Sequence, residues 1–413
     1  MKIRAVTAAV ALVGMLAACG GSGGSDASGA ITLRMTTWSN NEAHVKLFTE
    51  IAAEYQQSHP DVTVKFDALP VESYTTTLTT QIAGGNAPDL AWILEASAPD
   101  FVSSGALAPL GGVIENSAEL IPAATALWQQ DGQLIAYPFS TSPFGVFVNT
   151  DQLKAAGQRL PTGAQWTWDA AFSVAAATAA KSGKQGLVPR DFDYKDWTNL
   201  APIFDGWGAQ AWSPDGKTCG FDQQPMIDAM TAIHRAVFTA KAIPPPGVAA
   251  DFFAGDAAMT ITQISRASLL KDAKFGWTLV PLPAGPIGTY SVIGQGGIGV
   301  LKKGKNADAA KDFLKFFTDA ANSAKLAQFF PPPRQSQLNA ATLAKTNPLL
   351  KPQQLQDVVI DGISGGVVKP SHRNNAEISQ AVRSALDPMW KPDADVPAVL
   401  KSVCAAIQPL LTK

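Results

Sequence analysis

Four histidines, His44, His59, His234 and His372, are scattered along the chain, with no HExxH pair and no paired-cysteine spacing that would hold a metal ion. A serine nucleophile would need a G-x-S-x-G elbow joining a strand to a helix, and no such junction is present. Hydrolysis of a glycosidic bond would need two carboxyl groups about 5–9.5 Å apart. Asp191, Asp193 and Asp196 are the nearest such cluster, and a solvated loop accounts for them more simply. Gly294-Gln-Gly296-Gly297-Ile-Gly299 fits G-x-G-x-x-G in letters only. A dinucleotide fingerprint must open a helix after a strand, whereas Val300-Leu301-Lys-Lys-Gly continues as strand and turn. These glycines read instead as a place of close backbone approach, with the amides of Gly296 and Gly297 free to donate to a ligand. The residue types therefore point to recognition without catalysis, metal or cofactor.

The elements that must position such a site alternate in type. Ile31–Met35 alternates apolar and polar residues as a strand does, and Val45, Phe48, Ala52 and Tyr55 follow at helical spacing until Pro60. Val62, Val64 and Phe66 form a second strand, Tyr74–Ile82 a helix closed by Gly84-Gly85, and Asp89–Leu94 a third strand. A further strand at 144–148, an Ala-rich helix around 169–181 and a helix capped by Asn306 with Ala310, Phe313, Leu314 and Phe317 on one face follow later. No internal repeat is visible. Strands alternating with helices predict an α/β fold with an open, largely parallel sheet covered on both faces, which binds ligands beyond the carboxyl ends of its strands. Trp38, Asn40 and Glu95 stand at those ends. A carboxylate closing a buried strand is expensive unless satisfied, by a ligand hydroxyl or by the next helix.

Length and composition set further bounds. The chain has 413 residues, enough for two domains, with 46% hydrophobic and only 16% charged residues. The formal charge is −2, which argues against nucleic acid or anionic lipid as a partner. Ten tryptophans suit an apolar, ring-lined cavity. Trp197, Trp207 and Trp212 fall in one irregular stretch, where at least one is expected to floor a pocket. Arg334 and Arg373 could each grip a hydroxyl pair or a phosphate through the guanidinium fork.

The N-terminus has its own logic. Lys2 and Arg4 precede an apolar run from Ala5 to Ala18, too short to span a bilayer, which ends at Leu16-Ala17-Ala18-Cys19. This order resembles the lipobox of bacterial lipoproteins. There residues 1–18 are removed as a signal peptide, and Cys19 is acylated. Removal would leave 395 residues with a formal charge of −4. Gly20–Ala30, rich in Gly and Ser, would form with Cys19 a flexible tether over 19–30, with a reach of roughly 20 Å. No later stretch approaches the ~18 apolar residues of a spanning helix. Cys219 and Cys404 then remain, and outside the cytoplasm they are expected to pair, the alternative being two buried thiols.

Taken together, Gly85-Asn-Ala-Pro-Asp89, Tyr137-Pro-Phe-Ser, Phe147-Val-Asn149-Thr-Asp-Gln-Leu-Lys-Ala-Ala-Gly157, Trp168-Asp169, Phe253-Ala-Gly-Asp-Ala-Ala-Met259 and Ala310–Phe317 resemble, in order, the motifs of extracellular solute-binding proteins that feed carbohydrate importers of the ABC type. The nearest pattern is that of the glycerol-3-phosphate and glycerophosphodiester binders. In these a Tyr, GNAP and a strand ending in Glu correspond to Tyr74, Gly85–Pro88 and Glu95. The resemblance implies a two-lobed periplasmic-binding-protein type II fold, with lobe 1 at 31–140 plus 296–330 and lobe 2 at 141–295 plus 331–413. Three hinge segments are expected near 138–143, 291–297 and 328–334, where Pro and Gly suit turns.

It also implies a ligand in the cleft touched by Tyr74 and Glu95, and the candidate contacts expected beside them are Trp38, Asn40, Thr141, Trp197, Trp207, Gln263, Gly296, Gly297 and Arg373. Met259 is followed by Thr260-Ile-Thr262-Gln263-Ile-Ser265-Arg266, where the family carries small residues and Gly or Trp. The implied function is a monomeric, lipid-anchored receptor on the outer face of a bacterial membrane. It would capture a mono- or oligosaccharide and deliver it to the two permease subunits. A glycerophosphodiester such as glycerophosphocholine is the alternative cargo, favoured if Trp197–Trp212 form an aromatic cage. A surface glycoside hydrolase is the distant one.

Overall fold

The computed structural model describes residues 29–189 and 197–413. Cys19, the signal segment, most of the tether and Asp191, Asp193 and Asp196 therefore lie outside the described residues. The first strand, β1 (Ile31–Thr37), runs parallel to β2 (Val62–Ala68) in register from Ile31 opposite Val62 to Thr37 opposite Ala68, and parallel to β3 (Leu90–Leu94) on its other side. Helix α1 (Glu42–Ser58) connects β1 to β2 and buries His44, Phe48, Ile51, Ala52 and Tyr55. Its first turn is capped by Asn41, whose side chain accepts from the Ala43 amide at 2.9 Å. Helix α2 (Tyr74–Ala83) precedes β3, and the short α3 (Ala98–Ser103) follows it.

The sheet is mixed, which corrects the expectation of a largely parallel one. Strand β4 (Tyr137–Asn149) is thirteen residues long and buried throughout. After it come α4 (Trp168–Ser182), β5 (Gln185–Pro189), α5 (Gln224–Phe238), β6 (Ala257–Gln263), β7 (Trp277–Val280) and β8 (Ser291–Val300). Among the described residues, nine strands form the main sheet in the order β2-β1-β3-β8-β4-β6-β5, with β7 also on β4 and a last short strand, β9 (Gly366–Val368), on β8. The flanks, β1 with β2 and β3 and β5 with β6, are parallel, but β3–β8, β8–β4 and β4–β6 are antiparallel.

This arrangement carries the chain between lobes. Strand β4 pairs with β8 as far as Pro143, then changes partners to β6 and β7 from Phe144 onward. Two of the expected hinge segments are thus one antiparallel strand pair and not Pro/Gly turns. Backbone hydrogen bonds continue through the crossing, so the central glycines and Pro143 are accommodated in extended backbone.

Two large apolar cores lie on either side. One gathers residues from Leu33 to Phe139 and from Ile298 to Phe330; the other gathers Phe144 to Val292 and Ile378 to Leu411. Helix α6 (Ala307–Phe317) buries Ala310, Phe313, Leu314 and Phe317 in the first core, as its spacing predicts. Asn306 precedes it without capping through its side chain. Its backbone amide instead reaches the Asp89 carboxylate at 2.9 Å, which also accepts from the Arg34 amide at 2.9 Å. That buried Asp89 ties β1, β3 and α6 together. The second core is completed by α7 (Asn375–Leu386) and α8 (Val396–Leu411). The Cys219–Cys404 disulfide joins α8 to the hairpin after Trp212, with Cα atoms 5.4 Å apart.

Candidate functional site

The crossing strands present two faces, and their register sorts the residues between them. Residues paired across antiparallel strands share a face, and neighbours along a strand alternate. Ser142 opposite Gly294, and Phe144 opposite Gln263, lie on one face. Thr141 opposite Gln295 lies on the other, where Gln295 donates to the Ala123 carbonyl at 2.9 Å and accepts from Trp128 Nε1 at 3.1 Å. Thr141 is fully buried there with no partner for its hydroxyl. The structure thus sets Thr141 behind the crossing strands and away from the face that Gln263 and Phe144 occupy.

Trp38 stands where β1 meets that first face. Its half-buried ring is edge-on to Tyr74 at 5.3 Å and to Trp92 at 4.7 Å, and a Cβ added at Gly296 would lie 3.1 Å from it. Gly296 is therefore glycine because Trp38 and Phe139 fill the space above it. A Cβ at Gly297 would sit 2.6 Å from the Trp128 ring. Both glycines pair with β3, opposite Leu94 and Ile93. Both positions admit large rings against the sheet, which accounts for the lack of a side chain there independently of any ligand. Gly294 does the same for Gln263, whose amide nitrogen occupies the place of a Cβ.

Tyr74 is also displaced from the expected site. It is 1% exposed, and its hydroxyl lies 3.0 Å from the Thr36 carbonyl and 2.8 Å from that of Trp92. Burial raises the phenol above its ordinary range. Tyr74 supports Trp38 from behind, with no hydroxyl to spare. Arg334 is buried too, donating to the carbonyls of Glu115 and Thr318 at 2.9 and 3.0 Å, and so has no free fork for a ligand. Asn40 is exposed in the turn after Trp38.

Glu95 ends β3 and is nearly buried. Its Oε1 faces Lys369 Nζ at 3.5 Å, with both side chains about nine-tenths buried. Lys369 Nζ also donates to Asn199 Oδ1 at 3.2 Å and lies 5.9 Å above the Phe144 ring. A carboxylate, an ammonium, two carboxamides (Asn199 and Gln263) and the Phe144 ring thus gather at one end of the crossing strands. This set both accepts and donates hydrogen bonds, as a polyhydroxylated neutral molecule requires.

The second-lobe tryptophans are packed differently. Trp197 is buried, lies parallel to Phe204 at 6.5 Å and edge-on to Phe221 and Trp212 at 5.2 and 6.0 Å, and its indole N–H has no partner. Trp212 is in turn edge-on to His372 at 5.2 Å, whose Nε2 is 2.9 Å from the Gly216 carbonyl. Trp207 is half-buried against the same core. Arg373, next to His372, is exposed. Among the described residues no group of three or more His, Cys, Asp or Glu could hold a metal ion.

The sequence profile of the bacterial extracellular solute-binding proteins matches residues 50–352. The chain belongs to that family. An uncharacterized lipoprotein of Streptomyces antibioticus is 28% identical over 342 residues, 79% of this chain and 75% of that protein. An arabinooligosaccharide-binding protein of Bacillus subtilis is 23% identical over 322 residues, 73% and 72% of the two chains. Among solved structures, an ABC substrate-binding protein of Listeria monocytogenes in complex with cycloalternan superposes with a TM-score of 0.79 at 23% identity, covering 92% of this chain and 98% of that one. A glycerophosphocholine complex of UgpB from Mycobacterium tuberculosis gives 0.78 at 17% identity, with 92% and 98% coverage. Both likenesses speak to the two-lobed α/β fold, which this solute-binding protein shares.

Sequence reasoning missed Lys369 and Asn199 in this solute-binding protein. Neither carries a local signal: Lys369 follows a three-residue strand, and Asn199 lies in a short 3₁₀ turn. Only the approach of 369 to the end of β3 makes them part of the constellation. No helix of the described residues is long and apolar enough to cross a membrane.

Proposed function

We propose that this solute-binding protein is a lipid-anchored receptor that captures a neutral carbohydrate between its lobes and delivers it to the subunits of an ABC permease, without chemical turnover. The observation that carries the reading is the meeting of Glu95, Lys369 and Asn199 over the buried Phe144 ring at the crossing strands, with the half-buried Trp38 beside Gly296 on the same face. The carboxylate accepts sugar O–H groups, the ammonium and carboxamides donate to sugar oxygens, and a ring covers a C–H face. Trp38, Asn40, Glu95, Gln263 and Arg373 remain the contacts proposed from the expected set, joined by Lys369 and Asn199. The lobes divide at the crossing strands, and the Leu16–Cys19 segment supports lipidation at Cys19.

The carbohydrate reading draws support from the family and from relatives named for binding sugars. A choline cage built from Trp197 and Trp212 has less support, because Phe204, Phe221 and His372 already cover these rings. The test is thermal unfolding of the full chain against neutral mono- and oligosaccharides and against glycerophosphodiesters. A sugar at 100 times its dissociation constant should add about 2.7 kcal/mol of stability. A shift with glycerophosphodiesters alone would replace the cargo. Release of sugar from a glycoside would overturn the non-catalytic reading.

A further inference from the structure

Two side-chain contacts join the lobes, one from the three-residue turn Glu95–Ser97 that leads from β3 into α3 and one from the first turn of α3 itself. Glu95 opens this turn and faces Lys369, which follows β9 on the other lobe's side. Asp100, one helical turn later, accepts at Oδ1 from the Asn374 amide at 3.0 Å. Asn374 is the N-cap of α7, held at φ 59°, a left-handed backbone uncommon for a residue other than glycine. The Asp100 carboxylate therefore lies at the positive end of a twelve-residue helix, where negative charge is favoured. The segment 369–374 is itself held to its own lobe by Lys369 with Asn199 and by His372 with Gly216. One lobe supplies two carboxylates and the other a cation and a helix end, at matched spacing.

We propose that these contacts form a built-in latch, so that the closed arrangement of the lobes is populated before any cargo binds. A buried ion pair roughly offsets its own desolvation, but it does so in one geometry only, so it selects a single closed register and adds little net stabilisation. The Asp100–α7 contact is less buried than the ion pair and favours closure by charge and dipole. The lobes are then poised between two states, and cargo completes a closure that the protein's own groups have prepared. The reading rests on the two-lobed fold and does not depend on which cargo is bound.

The test measures the interlobe distance in the full chain with no sugar added, using spin labels on non-canonical side chains at the exposed positions Val71 and Leu269. The wild type is expected to show a short, closed distance as a major population. Asp100→Ala and Lys369→Met should each shift the closed-to-open ratio toward open by about 5- to 30-fold, and the double variant further. Near-ultraviolet circular dichroism and the melting temperature report whether each variant is folded. Should a variant fail to fold, Asp100→Asn, which keeps the shape and removes the charge, gives the same reading with a smaller shift. A wild type found only in the open distance, or folded variants with an unchanged distribution, would overturn the latch. Asp100 is outside the proposed sugar contacts, so the Asp100 variants read the latch alone, while the unfolding panel decides the cargo.

Discussion

The two lobes use aromatic rings in opposite ways. In the first, Trp38, Trp92, Phe139 and Tyr74 meet around β1 and β3, and the outermost ring, Trp38, stays half-buried beside the crossing strands. In the second, Trp197, Phe204, Phe221 and Trp212 close on one another, and the Cys219–Cys404 bridge fastens the hairpin beneath them to the last helix. The first cluster is a wall with one ring left half-exposed, and the second is a core. Ring count alone therefore says little about where a ligand binds. What matters is whether the neighbours of a ring leave a face uncovered.

The comparison breaks most readily at the disulfide. Its two cysteines are 185 residues apart in sequence. The chain-entropy account assigns the closure of so long a loop about 4–5 kcal/mol. Replacing both cysteines by serine should therefore lower stability to urea by about that amount while leaving sugar affinity unchanged in the protein that stays folded. A loss of affinity at constant stability would mean that the second cluster touches the ligand after all.

Acid and alkali should separate the lobes next. His44, buried between Phe329 and Phe330 with Ser39 at its Nδ1, is pushed down to about 4 by loss of solvent. Its folded value lies below its unfolded one, so its neutral form is preferred on folding. Stability is full above pH 6.5 and falls, by up to about 3 kcal/mol, as pH drops toward 4. Asp205, beside the Tyr290 and Trp168 of the second lobe, is pushed up to about 8 by burial. Here the folded state holds its proton more tightly, so stability declines as pH rises from about 4 to about 8. Denaturant melts across this range should show His44→Gln flattening the acid limb and Asp205→Asn flattening the alkaline one. If either substitution left its limb unchanged, that group would not be the one titrating.

Much of the first lobe can be read before any fold is known, and the reasons are local. Strand β1, helix α1 and the apolar face of α6 follow from alternation and helical spacing, and Trp38 and Glu95 fall at strand ends because such sheets turn there. What was illegible depends on contacts distant in sequence. Thr141 changes face according to how β4 registers against β8, which no run of residues in β4 reveals. Gly296 and Gly297 look the same whether a glycine admits a ligand or a tryptophan ring. Lys369 and Asn374 matter only because the lobes bring the end of β9 and the start of α7 against the turn after β3. A mixed sheet was equally hidden, since the direction of β8 depends on where the chain returns from the second lobe.

The smallest effect sharpens the comparison inside the first cluster itself. Tyr74 and Trp38 touch at 5.3 Å, yet one is a support and the other a proposed contact. Tyr74→Phe removes a hydroxyl that lies against two carbonyls and should cost about 1 kcal/mol of stability, with affinity unchanged. Trp38→Ala removes a half-buried ring and should weaken sugar binding by about tenfold, equivalent to ~1.4 kcal/mol, at a smaller loss of stability than a fully buried tryptophan would show. Titration calorimetry paired with urea melts separates the two readings. If Tyr74→Phe lost affinity, the phenol would have to leave its carbonyls to reach the ligand. If Trp38→Ala bound as tightly as the wild type, the uncovered ring would be surface packing, and the wall would have no open face.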